Sequence, residues 1–580
     1  MLSDTLRKLA RFAWGIGPGF LLWAAFPPMG EGTDCLFALA PLLWLSRRET
    51  VALATKRWFT NGLFFWIATL AWMPAIVKNG GPWPLVVLGW FALAAYCAGY
   101  FALFGFLTAR YWNWARDRDP GLGAYLRLGG VLVVEPLLWC GLELVRSRLL
   151  GGFAWNQLGV VPCNLGFGAP AALGGVYLCS AVVILVNGTF AGIAERVWKV
   201  DRSGFPGLRK LGSLETILAF ALVAGVYSLA KIEGEGRGGK IEDLDYRGGR
   251  LQASESPDCL KVAMVQRNFP CVFQTREENP YLVYSNLLQN VALLQPDLVV
   301  LSESAMCEFG PVDQQGALRF ARFVREQTGG AALLAGGTRF EDGKTFNSAA
   351  VYSAGDAAVT RGRMTLPDAD AAGLAPRASR EEALISIYDK VHLVPFGEFV
   401  PGDKLFPFLQ KFVPVGSCTP GEPKVVRLRV LPTAAPSATI PLGVAICFED
   451  TDSALMRRQA AMGARALFFI TNDSWFSKSG EAWAHAWQAT ARAIETGLPV
   501  VRVGNSGVTG TITPEGQATW LLGPSGRPLV DRRGTLFDRI PLADPGAPPT
   551  FYVRWGDLPL ACAFALLLTA FIVAHCKKDY

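Results

Sequence analysis

The sequence predicts a multi-span α-helical membrane domain of about eight helices joined to one α/β domain. Three observations predict it. Mean hydropathy is +0.28 with 51% hydrophobic residues, too apolar for an ordinary soluble chain. Over the first 230 residues or so, the apolar residues gather into runs long enough to cross a bilayer. Between 258 and 548, short β-rich apolar runs alternate with helical stretches, as packed α/β layers require.

The apolar runs place spans at 12–27, 34–46, 58–77, 84–108, 128–147, 172–193, 213–231 and 557–574. The second is short, which fits a re-entrant or tilted segment. Connections alternate in charge. Arg7, Lys8 and Arg11 precede the first span, and Arg47, Arg48, Lys56 and Arg57 follow the second. Arg110, Arg116 and Arg118 follow the fourth, Arg196, Lys199, Arg202, Arg209 and Lys210 the sixth, and Lys577 and Lys578 the last. The intervening connections are nearly free of positive charge, so both termini are expected in the cytoplasm. An odd number of spans before residue 258 then puts the α/β domain outside it. Repeated spans behind the first argue against a cleaved signal peptide. The net charge of +7 is explained by this topology, and no nucleic-acid partner is expected.

The domains read as 1–231 (about seven spans), a linker at 232–257, a catalytic domain at 258–548 and a C-terminal span at 557–574. The linker contains a formal G-x-G-x-x-G at 234–239, rejected as a dinucleotide site because no strand precedes it and no helix pattern follows. In the α/β domain, strands are expected at 260–266, 297–302, 331–336, 348–353, 384–389, 440–446, 466–471 and 499–503. Helices are expected at 279–294, 313–328, 451–463 and 481–496. Residues 361–383 read as a polar surface insertion.

Chemistry collects at strand ends. The run 441–450, PLGVAICFED, delivers Cys447 at the mouth of a buried strand, where α/β proteins keep their reactive groups. DLVVLSE delivers Glu303 and ISIYDK delivers Lys390. Thiolate chemistry needs a base, a cation for the developing oxyanion, and a rigid mount for both. Each residue also has a plainer reading: Cys447 as a small core residue, Glu303 as a helix cap, Lys390 as a solvated lysine. A Cys–His arrangement using His392 is the internal rival. The twelve cysteines and three histidines show no metal spacing, so no metal or cofactor is expected. Cys259, Cys271, Cys307 and Cys418 share the exported domain with Cys447, and which of them pair is open. Glu143 and Arg146, near the outer end of the fifth span, are expected to pair at i, i+3.

At Glu303, Lys390 and Cys447 the chain resembles the nitrilase superfamily. The resemblance narrows to the apolipoprotein N-acyltransferase family through YDKVHLVPFGEFVP (388–401), ICFE (446–449), TNDSWF (471–476) and GNSGVT (504–509). ELVR (143–146) and GFAWNQLG (152–159) resemble that family's external loop after the fifth span. Departures are Ser302 where the family has proline, Phe448 where it often has tyrosine, and no tryptophan between Gln266 and Asn279.

The resemblance implies an αββα sandwich embedded in a bacterial inner-membrane protein, with the catalytic domain on the periplasmic side. It implies Glu303 as base, Lys390 as oxyanion partner and Cys447 as nucleophile. A phospholipid would donate an acyl chain to the thiol, and a diacylglyceryl-modified apolipoprotein would accept it on its α-amino group. Glu398 resembles a supporting second glutamate, and Glu449 would help position the Cys447 turn. Phe448, Trp475 and Trp155 are candidate substrate contacts, and the protein is expected to be a monomer. The alternatives are a membrane-anchored amidase, passing the acyl group to water, and a non-catalytic transporter or scaffold. The spans' apparent lack of ionisable residues speaks against the latter.

Overall fold

The computed structural model describes residues 15–30, 32–79, 81–197, 208–235, 259–269, 278–353, 386–395, 397–400, 417–430, 439–476 and 479–576. The insertion at 361–383, Cys271, the linker beyond Glu235 and both basic tails lie outside them.

The apolar runs form helices α1 (Gly15–Ala24), α2 (Ala40–Ser46), α3 (Val51–Thr69), α4 (Trp83–Arg116), α5 (Pro120–Gly129), α6 (Glu135–Arg146), α7 (Val160–Asn164), α8 (Ala171–Val197) and α9 (Leu208–Glu235). Among the described residues, four stretches are long and apolar enough to cross a membrane: Trp83–Arg116, Gly121–Arg146, Ala171–Glu195 and Leu214–Gly234. A π-helical turn, Gly130–Val134, joins α5 to α6 without a break.

Several boundaries differ from the sequence expectation, and at two of them a charge enters the bundle with its partner. The run expected at 128–147 begins eight residues earlier, at Pro120, because Arg127 is matched by Glu195 and Glu215 and does not end the helix. Thr50 caps α3, its hydroxyl accepting from the Leu53 amide at 3.4 Å, so that helix begins at Val51 and carries Arg57 paired with Glu49 at 2.9 Å. It ends at Thr69, and a 3-10 stretch, Met73–Asn79, takes the place of its expected last turns. The α9 helix runs to Glu235, into the expected linker.

The expectation that the spans lack ionisable residues is also corrected. Arg47 grips Glu135 with two bonds, Nε to Oε1 at 3.2 Å and Nη2 to Oε2 at 2.8 Å, and Trp112 donates to the same carboxylate at 2.9 Å. Such groups tolerate a low dielectric because each is bonded to its counter-charge. The short second span is broken, a 3-10 turn at Thr33–Leu36 followed by the seven residues of α2. Asn187 of α8 satisfies the buried backbone groups this break leaves unpaired, donating to Cys35 O at 2.8 Å and accepting from Leu39 N at 2.9 Å.

The α/β domain holds strands β1 (Cys259–Gln266), β2 (Leu298–Leu301), β3 (Ala332–Glu341), β4 (Lys344–Tyr352), β5 (Ser386–Asp389), β6 (Val426–Arg429), β7 (Thr439–Ile446), β8 (Leu467–Thr471), β9 (Val500–Gly504), β10 (Gly510–Ile512), β11 (Ala518–Trp520) and β12 (Gly534–Pro541). Its helices are α10 (Pro280–Ala292), α11 (Gln315–Thr328), α12 (Ser453–Ala461), α13 (Glu481–Thr496) and α14 (Phe551–Trp555), and α15 (Leu558–Cys576) returns to the bundle. One six-stranded sheet has the order β12-β1-β2-β3-β4-β5, the other β11-β10-β9-β8-β7-β6. Alternate side chains point to opposite faces. Leu260, Val262, Met264, Val444, Ile446, Phe468 and Val501 fill the space between the sheets. The outer face of the first sheet packs on α10 and α11, that of the second on α12 and α13. The layers are therefore helix, sheet, sheet, helix, as the resemblance implied.

The α13 helix is buried on both sides. Ala489 and Ala493 face the second sheet, while Trp487, Ala491 and Ile494 join the core of the membrane bundle. The bundle meets the α/β domain through alternate connections. Pro28 lies against Gly480, Trp72 meets Phe476 edge-on at 4.8 Å, and Trp155 donates to Glu481. Arg47, Arg127, Glu195 and Glu215 cluster on the intervening ones, at helix ends that carry no such contact among the described residues.

Candidate active site

The reactive groups collect where the C-terminal ends of β2, β5 and β7 converge. Past Leu301 the chain turns sharply: Ser304 takes φ 61°, and Gly336 of β3 leaves room, since a Cβ there would sit 2.7 Å from the Glu303 Cα. Glu303 Oε2 accepts from the Asn472 amide at 2.9 Å, and Oε1 accepts from Asn347 Nδ2 at 2.8 Å. Burial pushes its carboxyl above the ordinary range, and the neighbouring Lys390 works against that shift.

Lys390 follows β5, its amide bonded to the Asn347 carbonyl at 2.8 Å. Its Nζ lies 3.0 and 2.9 Å from the two Glu398 oxygens and 3.9 Å from Glu303 Oε1. Burial opposes the ammonium, but Glu398 and then Glu303 outweigh it and hold it charged. Glu398 also accepts from Asn347 Nδ2 at 2.7 Å and from the Val394 amide at 2.8 Å. One Asn347 side chain thus bridges both glutamates.

Cys447 opens the 3-10 turn Cys447–Thr451 directly after β7, with φ 54°, a left-handed conformation uncommon outside glycine. Glu449 holds that turn against the lysine loop. Its Oε1 accepts from Val391 N (2.6 Å), His392 N (3.0 Å) and Tyr388 Oη (2.9 Å), and its Oε2 from Ile446 N (2.8 Å). Burial pushes its carboxyl up to about 7 despite these donors. The half-buried Cys447 thiol is pushed well up by burial and by Glu303, with Lys390 opposing. The thiol is therefore neutral at rest.

Phe448 stacks on Trp155 at 5.7 Å and 15° and on Phe153 at 6.1 Å and 19°. Both partners come from the loop that follows α6, so a membrane loop covers the residue beside the thiol. Trp475 lies half-buried in the 3-10 turn Asp473–Phe476, and its neighbour Phe476 is the residue that meets Trp155, at 5.9 Å.

His392 is directed to other partners. Its Nε2 lies 2.7 Å from the Gly151 carbonyl and its Nδ1 3.4 Å from Asp452. The Asp452 bond raises its pKa, and the Cys–His alternative gains no geometric support. The expected Glu143–Arg146 ion pair is corrected too. Glu143 accepts from Leu158 N at 2.9 Å and Ser180 Oγ at 2.6 Å, while Arg146 donates to the carbonyls of Phe153 and Trp155 at 2.7 and 2.9 Å. Both hold the Trp155 loop instead of each other, because that loop's turn leaves backbone groups that need partners. No disulfide joins Cys259, Cys307 or Cys418 among the described residues.

Sequence reasoning missed Asn347, an amide inside a strand, and the buried group of Asp450, Asp473, His485 and Arg502. An arginine in the middle of the apolar run VVRVG was the available signal, since a buried charge demands a counter-charge.

Residues 18–189 match the family model for the apolipoprotein N-acyltransferase N-terminal domain, and residues 261–535 match that for carbon-nitrogen hydrolase. The apolipoprotein N-acyltransferase of Geobacter metallireducens is 28% identical over 568 residues, 96% of this chain and 93% of the relative. That of Gloeobacter violaceus is 26% identical over 97% of this chain and 94% of the relative. Among solved structures, a carbon-nitrogen hydrolase from Helicobacter pylori G27 is similar at 15% identity and TM-score 0.34, covering 52% of this chain and 94% of that one.

Proposed function

This chain belongs to the apolipoprotein N-acyltransferase family, and on that footing we propose that it moves a fatty acyl chain from a phospholipid to the N-terminal α-amino group of a diacylglyceryl-cysteine lipoprotein, through a thioester on Cys447. The observation that carries this reading is the meeting of a buried glutamate, a buried lysine and a strand-end cysteine beneath a loop supplied by the membrane helices. As the Cys447 sulfur attacks the ester carbonyl, Glu303 takes the thiol proton and Lys390 stabilises the oxyanion. The tetrahedral adduct collapses, the ester oxygen leaves as the alcohol of a lysophospholipid, and Glu303 returns the proton to it. The lipoprotein amine then attacks the thioester, Glu303 accepts the amine proton, and the sulfur departs and is reprotonated as the amide forms. Glu398 fixes Lys390, Glu449 fixes the thiol's turn, and Phe448 and Trp155 cover the acyl chain, with Trp475 at the rim.

Both substrates are lipids. Drawing either into water costs about 0.8 kcal/mol per CH₂, so a site held against the bilayer avoids that loss. In this reading the protein is a multi-pass bacterial membrane protein, monomeric, with the catalytic domain at 258–548 on the periplasmic face and both termini cytoplasmic.

The test is intact-mass measurement on the full chain after incubation with a phospholipid of defined acyl composition. One acyl adduct on Cys447 is expected, absent in Cys447→Ala, and it should pass to an added diacylglyceryl-cysteine peptide. Release of the acyl group only as free fatty acid, with the peptide unmodified, would replace this reading with a hydrolase.

A further inference from the structure

Behind the thiol's turn lies a closed set of four charges, all fully buried: Asp450, Asp473, His485 and Arg502. His485 on α13 uses both ring nitrogens, Nδ1 at 2.8 Å from Asp473 Oδ1 and Nε2 at 2.9 Å from Asp450 Oδ1. Arg502, in the middle of β9, binds the remaining oxygen of each acid, Asp450 Oδ2 and Asp473 Oδ2, the latter at 3.2 Å. Two carboxylates face two cations, so the set is neutral as a whole. It is also tightly fitted: a Cβ on Gly507 would overlap Asp473 Oδ2 at 1.8 Å.

The two acids belong to the two halves of the reactive centre. Asp450 sits in the same five-residue turn as Cys447. Asp473 follows Asn472, whose amide donates to Glu303. The buried His485 ring meets Trp155 at 5.1 Å, and Trp155 in turn stacks on Phe448. Trp155 is tied to α13 a second time, through Glu481, one turn before His485.

We propose that His485 is a positioning residue for acyl transfer: through Asp450 and Asp473 it sets the spacing of Cys447 and Glu303, and through Trp155 it registers that the membrane loop is seated. The proposal rests on the acyl-transfer reading above. Burial and the Arg502 guanidinium, whose Nη2 lies 3.1 Å from Nδ1, disfavour the imidazolium, but the two acids outweigh them and lift its pKa to about 9, so it bridges them as a cation.

The experiment measures single-turnover thioester formation by the full chain in phospholipid vesicles. An adduct on the unsubstituted protein tests the acyl-transfer reading by itself. Given that adduct, His485→Gln is expected to lower the acylation rate about 10–100-fold, with the half-saturating lipid concentration unchanged within about twofold. In a Glu303→Gln background the same change should cost less than about threefold, because its effect passes through the base. The double replacement His485→Gln/Asp450→Asn keeps the cluster neutral and serves if the single variant does not fold. A rate within about threefold of the unsubstituted protein in either folded variant would overturn the proposal. So would a loss of equal size with and without Glu303, or a change confined to lipid affinity.

Discussion

Lys390 donates to Glu398, its Nζ lying within 3.0 Å of both carboxylate oxygens. The nearest approach to Glu303 is 3.9 Å. The lysine is thus anchored by one glutamate and only leans on the other, which leaves Glu303 outside a close ion pair. Removing the anchor should let Lys390 collapse onto Glu303. Glu398→Gln is expected to slow thioester formation by about 10²-fold, as losing a positioned charge typically does. His392→Ala, which touches Gly151 and Asp452 and not the trio, should acylate within about threefold of the parent. Single-turnover acylation by intact mass checks both, and a normal rate in Glu398→Gln would remove this glutamate from the chemistry.

Glu449 presents a different kind of dependence. One carboxylate serves four donors from the lysine loop and the end of β7. Glu449→Gln turns one acceptor oxygen into a donor facing other donors. Each buried donor left unmade costs about 1–3 kcal/mol. The variant should lose both acylation and thermal stability. Differential scanning fluorimetry in detergent measures the second, and an unshifted melt for Glu449→Gln would refute the staple.

The seam between membrane loop and α13 should respond to pH. Burial lifts the Glu481 carboxyl to about 8, from an ordinary value of 4.5, while it accepts from Trp155. A folded pKa above the unfolded one means the folded state holds the extra proton between these values. Its stabilising contribution is complete below about pH 4.5 and is lost as pH rises through about 8. The melting midpoint should therefore fall by more than about 2 °C between pH 5 and 8.5, and Glu481→Gln should flatten that slope. Identical slopes in the two proteins would show that Glu481 does not titrate in this window.

The alternation of connections predicts a sidedness. A cysteine at Asp342, in the exposed turn between β3 and β4, should label in intact cells with an impermeant reagent. One at Asp117, after α4, should label only once the membrane is opened. The test needs a background in which the exposed Cys307 and Cys562 are replaced by serine. The reverse pattern would put the catalytic face in the cytoplasm, away from exported lipoproteins.

Strands built on unbroken apolar runs were legible, β2 (LVVL) and β8 (LFFIT, polar only at its last residue) among them, because continuous burial leaves such a run. The β12 strand was not, since GTLFDRIP carries Asp538 and Arg539 and owes its conformation to antiparallel pairing with β1, a distant segment. The same distinction holds in the site. Glu303, Lys390 and Cys447 stand at strand ends that local pattern reveals, whereas Asn347 matters because β4 pairs with β5, and His485 because α13 faces the second sheet. Phe153 and Trp155 were visible as aromatics, but that they stack on Phe448 depends on how the membrane loop folds over. Arg127 hid a helix start for the opposite reason: its charge reads as an end, and only its partners Glu195 and Glu215, far along the chain, cancel it.

The two-sided burial of α13 bears on how the protein is made. Helices α1 to α9 emerge from the ribosome first, and the surface that receives Trp487, Ala491 and Ile494 is assembled before α13 has been synthesised. The bundle is then a template for the last layer of the enzyme, and the turn at Cys447 settles only when that layer docks. Residues 259–548 released on their own would bare this apolar stripe to water and self-associate. A detergent that pries the helices apart would silence Cys447 without ever reaching it.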